Sequence, residues 1–313
     1  IKVIMFEITE FFNQLGAIPA STWIIQIYLG LVNGSVFLLL ALGLTIIFGL
    51  MGIVNFAHGT FYMVGAYAGW LTLRLVGNFW AALLVAPVIT GLLGMLLEIV
   101  LLRRVYNKRE SVYLGILITF GLSFIGPDII RLFFGKTGLP YVVPAILDGT
   151  AFTIGATHFS LYRIFLICSA LTLTVLMFLL LKKTDLGLII RAGIGNPRMV
   201  EVLGIKIRNV WTITFGLGTA LAAIAGVLVG PIFAVQPTMG EGVIIQSFIV
   251  VIIGGLGSLM GAVVSALIVG QVLTLFPLLP YIQQLADVII YLLMAFVLLV
   301  RPRGLFGEEG VGE

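Results

Sequence analysis

The chain has 313 residues, of which 61% are hydrophobic and 10% charged, with a formal net charge of +4 and a mean hydropathy of +1.22. A soluble domain carries roughly 25% charged residues, so this composition excludes a water-soluble globular enzyme and requires apolar surface that faces lipid. The positive balance alone would admit a nucleic-acid partner, but in a polytopic membrane protein the placement of Lys and Arg carries more meaning than their sum, and no nucleic acid is expected.

Residues 1–21, beginning "IKVIMFEITEFFNQLGAIPA", lack the long apolar core of a cleavable signal peptide. They read as a loosely amphipathic segment on the membrane surface. Apolar runs of spanning length, about 20 residues, then lie near 22–50, 56–76, 79–102, 112–135, 159–182, 209–233, 243–276 and 282–300. The run 243–276 is too long for one ordinary span and is split by "GGLGSLMG", Gly254 to Gly261. The expected fold is an all-α polytopic membrane protein with eight to nine membrane segments. One membrane domain, 22–301, is followed by a short tail, 302–313.

Basic residues orient these segments, because short cytoplasmic loops are enriched in Lys and Arg. "RRVYNKRE" carries Arg103, Arg104, Lys108 and Arg109; the 183–208 loop and its borders carry Lys182, Lys183, Arg191, Arg198, Lys206 and Arg208; "RPRG" adds Arg301 and Arg303. All three regions, and so the C-terminus, are expected in the cytoplasm. The base-poor loops near 136–158 and 235–242 are expected outside. Parity is then satisfied if 243–276 makes an even number of crossings, as a hairpin of two short spans or a re-entrant pair.

Two stretches share a pattern. "FGLMGIVNFAHGTFYMVGAYAG" (48–69) and "IGGLGSLMGAVVSALIVG" (253–270) both break a long apolar run with glycine and continue with small residues. Paired interruptions of this sort raise an inverted repeat with discontinuous helices around a central pathway. Asn55, His58 and Gly59 in the first break, and Gly254, Gly255 and Gly257 in the second, are the candidate pathway residues. Two readings of the first set stand. A broken helix frees backbone groups that must find partners in lipid, so Asn55 can cap a helix end and His58 can bond a neighbouring helix. Alternatively both side chains line the pathway or a gate.

The segment "DLGLIIRAGIGNPRMVEVLGIKIRNV", 185–210, is the longest polar stretch between spans. Asp185 and Asn196 could each cap a short helix, and Pro197 suits a first helical turn. Leu203 and Ile205 are apolar residues among charged ones. The segment reads either as a solvated basic loop or as a short amphipathic helix that docks in a groove of a soluble partner. "RPRGLFG", 301–307, reads either as a basic stop that anchors the last helix or as a further partner contact. Among charges near the spans, Glu98 falls close to Arg103 at the cytoplasmic interface. Asp128 and Arg131 sit three apart on one helical face and can pair. Asp287 lies in the first third of the last span. Cys168 lies in an apolar run and reads as a packing residue. No phosphate-binding loop of the form GxxxxGK[ST], no nucleophile elbow and no His/Cys/Asp ligand spacing is present, so neither an enzyme, a metal site nor a cofactor is expected.

Taken together, "GLMGIVNFAHGTFYMVGAY", "RAGIGNPRMVEVLGI", and "GGLGSLMGA" with "RPRGLFG" resemble the N-terminal motif, the cytoplasmic coupling loop and the C-terminal pattern of the permeases of branched-chain amino acid ABC importers. The likeness covers nearly the whole chain in the right order and is to the shorter, H-type subunit. It implies an inner-membrane permease that works by alternating access. It also implies a second, M-type permease subunit, two cytoplasmic ATPase subunits that hydrolyse ATP, and a periplasmic substrate-binding protein. Arg191, Asn196, Pro197, Glu201 and Gly204 become the expected ATPase contacts, and Asn55, His58 and Gly59 would line or shape the core. Urea, short amides and aromatic acids remain open as substrates beside branched-chain amino acids, and the permease pair is open between hetero- and homodimer. An ion-coupled secondary transporter is the rival class, with Asp287 as its one tolerable intramembrane acid.

Overall fold

The computed structural model describes residues 16–106, 111–155, 157–279 and 283–307, the side chains of Gln284 and Ala286 excepted. Most of the expected surface segment 1–21 and residues 308–313 of the tail lie outside that set. Eleven α-helices are present among the described residues: α1 (Ala20–Met51), α2 (His58–Val76), α3 (Phe79–Val100), α4 (Ser111–Phe134), α5 (Leu161–Lys183), α6 (Asp185–Gly195), α7 (Pro197–Val202), α8 (Ile207–Phe233), α9 (Met239–Gly254), α10 (Leu259–Leu275) and α11 (Ala286–Val300). Six of the helical segments are long and apolar enough to cross a membrane. The α9 and α11 helices are shorter and apolar. The long run 243–276 is divided where the glycines divide it, between α9 and α10. A feature not expected from the sequence is a two-stranded antiparallel hairpin, Thr150–Ile154 with Thr157–Ser160.

The longest helix, α1, organises the rest. Its 32 residues rise about 48 Å at 1.5 Å each, well beyond the roughly 30 Å of a bilayer core. Its spanning window is 89% buried inside the chain, against 17% for α4. α10 lies along most of it, with α8, α9 and α5 on its other sides. Such a helix cannot show an amphipathic stripe, because every face meets protein. α4 and α5 instead turn much of their surface outward, Leu132 and Phe133 among the most exposed side chains. Cys168 is also exposed, so it lies on the outward face of α5 rather than in packing.

Lipid tails are as apolar as Leu, so helices associate in a membrane through close packing rather than by escape from water. Here small residues supply that closeness. A Cβ on Gly226 of α8 would overlap the Tyr62 carbonyl oxygen of α2, and one on Gly270 of α10 would lie 2.5 Å from the Gly30 carbonyl oxygen of α1. Hydroxyls fasten the same seams. The Ser265 hydroxyl of α10 reaches the Val250 carbonyl of α9 at 2.6 Å, and the Tyr162 hydroxyl of α5 donates to the Leu228 carbonyl of α8 at 2.7 Å.

The basic segments share one end of the bundle. Arg103 donates to the Arg208 carbonyl. The α6 helix lies on the C-terminal end of α1, with Ile194 beside Gly49 and Gly193 beside Leu50. The tail returns to the α9–α10 turn, where Leu305 and Phe306 donate backbone N–H groups to Ile253 and Gly254. The loops near 136–158 and 235 meet at the other end, through a Leu139–Val235 bridge and a hydrogen bond from the Trp70 indole to the Pro140 carbonyl. We expect Gly226→Ala to lower stability in detergent by about 1–3 kcal/mol through overpacking. Gly121→Ala, where an added methyl meets nothing within 4 Å, should leave the melting curve unchanged.

Candidate functional site

The first glycine break is a real interruption of the backbone. α1 ends at Gly52, whose φ of +64° forms a left-handed cap with its N–H on the Phe48 carbonyl. Residues 52–57 are irregular before α2 begins at His58. This segment runs along α4: Ile53 packs at Gly115, the Thr119 hydroxyl donates to the Val54 carbonyl at 3.2 Å, and Thr60 packs at Gly126. Seven residues of chain thus keep pace with eleven residues of helix, about 16 Å at 1.5 Å per residue. The segment and α2 together form one discontinuous passage through the bundle. Non-helical backbone at this depth is tolerated where protein covers it or where it borders a cavity, and this segment does both.

Asn55 and His58 are fully enclosed within the chain. Asn55 is not a side-chain cap: Ala57 holds the N-cap position of α2, and it is the Asn55 backbone carbonyl that accepts the His58 N–H at 3.2 Å. The His58 ring lies against Gly43 of α1 and faces the Leu40 carbonyl without the geometry of a full hydrogen bond. The His58 ring thus meets the middle of α1 rather than its end. Gly59, one residue on, reaches the surface of a cavity. There it meets Gly240 of α9 backbone to backbone, with no room for a side chain on either.

That cavity holds about 240 Å³ and lies between the break, α4 and the start of α9. Phe56, Met63, Phe120, Phe124 and Ile244 give it an apolar wall, and Ser123, Thr60 and Glu241 are its polar side chains. The rings are arranged edge to face, with Phe56 and Phe120 centroids 5.7 Å apart at 88°. The reading from sequence found Gly59 but not the rest of this wall. Glu241 was legible as the acid that opens an apolar run, in "GEGVIIQSF". Phe56, Phe120 and Phe124 were not, because an aromatic facing a cavity and one facing lipid look alike in sequence.

Gly254, Gly255 and Gly257 sit elsewhere, in the α9–α10 turn at the basic end. Gly255 and Gly257 have φ of +103° and +88°. Gly254 packs on Gly261, and Gly255 packs on the backbone of Arg303 and Gly307. Gly257 and Leu256 line a second cavity of about 350 Å³ with Thr45, Phe178, Lys182 and Arg191. The two glycine breaks therefore border different spaces, and they are built differently: one is an extended passage, the other a tight four-residue turn.

The 185–210 segment folds as a helix pair. Thr184, rather than Asp185, caps α6, accepting the Gly187 N–H on its hydroxyl at 3.1 Å; Asp185 occupies the first turn, where its charge suits the helix dipole. Asn196 caps α7 through the Met199 N–H at 3.0 Å, with Pro197 at the first helical position. Gly204, at φ +85°, turns the chain into α8. Pro197 is half-buried, and Arg191, Asn196, Glu201 and Gly204 are exposed. So are Leu188, Met199, Val202 and Leu203, the last two at 79% and 75%. Four large apolar side chains on one short helix pair at the basic end form a surface suited to a protein partner.

The root of this helix pair is pinned. Glu98, fully buried at the end of α3, pairs with Arg103 at 3.6 Å and accepts a short hydrogen bond from the Thr212 hydroxyl of α8. Arg103 also donates to that hydroxyl at 2.5 Å. Burial, and then the neighbouring Glu98 carboxylate, push the Tyr106 phenol above its ordinary range, so it stays neutral. Asp128 and Arg131 pair at 2.7 Å as their spacing suggested. Asp287 stands exposed in the first turn of α11. No group of three His, Cys, Asp or Glu side chains able to hold a metal ion occurs among the described residues.

Comparison with known proteins bears directly on this arrangement. Residues 26–298 match the family described as branched-chain amino acid transport system, permease component. This chain belongs to that family. It is 30% identical over 302 residues to the high-affinity branched-chain amino acid transport system permease protein LivH of Escherichia coli K12, covering 91% of this chain and 96% of that one. It is 29% identical to the permease protein BraD of Pseudomonas aeruginosa over 301 residues, with the same two coverages. A more distant relative is the E. coli permease protein LivM, 25% identical over 86% of this chain and 67% of LivM. No solved structure matches. The chain is a transport permease subunit, not an enzyme. We expect Arg103→Ala to cost about 2 kcal/mol, less than the 3–5 kcal/mol typical of breaking a fully buried pair because Arg103 is a quarter exposed. Arg104→Ala should be near neutral in the same thermal-melt assay.

Proposed function

We propose that this chain is the H-type permease of an ATP-driven importer that carries branched-chain amino acids across a bacterial inner membrane, with its C-terminus in the cytoplasm. It would work beside an M-type permease, two cytoplasmic ATPase subunits and a periplasmic binding protein. The observation that carries the reading is the α6–α7 pair, an apolar and basic surface presented at the end of the bundle where Lys and Arg collect. The names of the relatives support the substrate, and LivM supports a second permease of related sequence.

The geometry supplies a route for coupling. Arg191, Asn196, Pro197, Glu201 and Gly204 build or border the docking surface, with Val202 and Leu203 as its exposed anchors. The α6 helix rests on the last turn of α1, and that turn leads straight into residues 52–57, which flank the 240 Å³ cavity. A shift of α6 driven by closure of the ATPase pair would therefore bear on the wall of the cavity through one continuous piece of chain. Gly59 and Gly240 would let that wall slide. Gly254, Gly255 and Gly257 would hold the α9–α10 turn against the tail while α9 moves. Net work comes from the different affinities of the two states for ATP and for the loaded binding protein. The rival, ion-coupled transport through Asp287, finds no support. Intramembrane acids that carry ions face a bundle interior or a water-filled cavity, and Asp287 faces out.

Val202→Asp and Leu203→Asp should each cut uptake at least tenfold, about 1.4 kcal/mol of lost docking, while the level of protein in the membrane is unchanged. Uptake at the normal rate in both would remove the docking surface from the mechanism. Cysteines placed at Gln236 and at Arg198 should be labelled by an impermeant reagent only from the periplasmic and only from the cytoplasmic side, respectively. The reverse pattern would invert the orientation.

A further inference from the structure

The cavity beside Gly59 carries an electrostatic signature at its rim. Glu241, in the first turn of α9, lies on the cavity, and its carboxylate is 3.9 Å from the guanidinium of Arg131 of α4, which stands next to the cavity, one turn beyond the lining residue Pro127, and is not itself part of the wall. The same guanidinium is held by Asp128 at 2.7 Å. One positive charge thus stands between two negative ones, and the cluster is left with a formal charge of −1. The Glu241 side chain is 61% exposed and Arg131 33%, so both can be reached by a solute. The rest of the wall is largely apolar and aromatic, through Phe56, Phe120 and Phe124. Pockets for drug-sized ligands run about 300–1,000 Å³; at about 240 Å³ this one suits a solute of few heavy atoms.

We infer that this cavity is a solute-binding site for a zwitterionic amino acid with an apolar side chain, and that Glu241 and Arg131 determine its specificity. The inference rests on the transport reading above and deepens it. A side chain of aliphatic or aromatic character lies against the phenylalanine rings. The ammonium group pairs with Glu241. The carboxylate takes a place on Arg131 in exchange for Asp128, which, 70% exposed, is free to turn to solvent. Both charges of the solute are then met and the net charge of the cluster is conserved. Urea or a short amide has no charge to offer Glu241, and an acid without an amine would bring a third carboxylate to a cluster that is already negative. The site therefore discriminates among the solutes that the sequence leaves open.

The test uses the whole importer in proteoliposomes, with ATP inside and the binding protein outside. Uptake of leucine and ATP hydrolysis are measured for the wild type, Glu241→Gln and Glu241→Asp. Glu241→Gln should reduce leucine uptake at least tenfold while ATP hydrolysis stimulated by the binding protein persists, and Glu241→Asp should restore most of it. Unchanged leucine uptake in Glu241→Gln would overturn the site and leave the transport reading intact. So would a parallel fall of uptake and hydrolysis that Glu241→Asp does not rescue, since that is the behaviour of a structural residue. A wild-type assembly that hydrolyses ATP but takes up no leucine would overturn the transport reading and the site with it.

Discussion

A polypeptide backbone inside lipid must satisfy its own hydrogen bonds, and this chain breaks its long apolar runs at two places all the same, at 52–57 and at 255–258. It can do so because the broken segments are wrapped by other helices, and the wrapping is made of backbone meeting backbone at glycine. Gly59 against Gly240, Gly254 against Gly261 and Gly226 against Tyr62 are contacts at which even one methyl group would hold the helices apart. Those contacts set the distances between α2, α8, α9 and α10, and Gly270 against Gly30 does the same for α10 and α1. The cavity, the pinned root of the α6–α7 pair and the seat of the C-terminal tail follow from that spacing.

The arrangement also explains how so apolar a chain handles charge. Among the described residues, three ion pairs are present: Glu98–Arg103, Asp128–Arg131 and Arg131–Glu241. The first is buried on one side and ties α3 to the start of α8, so it holds architecture. The other two share the Arg131 guanidinium beside the Glu241 edge of a cavity and are partly exposed, so a charge there can exchange partners at small cost. Charge near the membrane is expensive, and these pairs serve two different purposes.

Much of the architecture was legible in the sequence. Run lengths located the helices to within a few residues, and the glycines of 254–261 marked the α9–α10 turn. Asn196 with Pro197 marked the start of α7, and the i,i+3 spacing of Asp128 and Arg131 marked their pair. What failed did so for physical reasons. Asn55 looks like a cap beside a helix start, yet the cap position fell two residues later, on Ala57, because the break runs on through Phe56. Thr184 was overlooked in favour of the charged Asp185, although a hydroxyl at that position serves the same N–H. Cys168 seemed a packing residue, but an all-apolar helix gives no stripe from which to tell its inner face from its outer. The cavity wall was invisible because it is assembled from α2, α4 and α9, which lie far apart in the chain and adjacent only in space.

The enclosure of α1 has a consequence for how the protein is made. Its main neighbours are encoded far downstream, α8 from Ile207 and α10 from Leu259. At a synthesis rate of about 5–20 residues per second, α1 waits roughly 10–40 s before either partner leaves the ribosome. Through that interval the surface of α1 that α8 and α10 later cover lacks both of those partners. The most enclosed of the long apolar helices spends its first moments as the one least suited to its surroundings. A delay in releasing α1 sideways into the bilayer would give its downstream neighbours time to arrive.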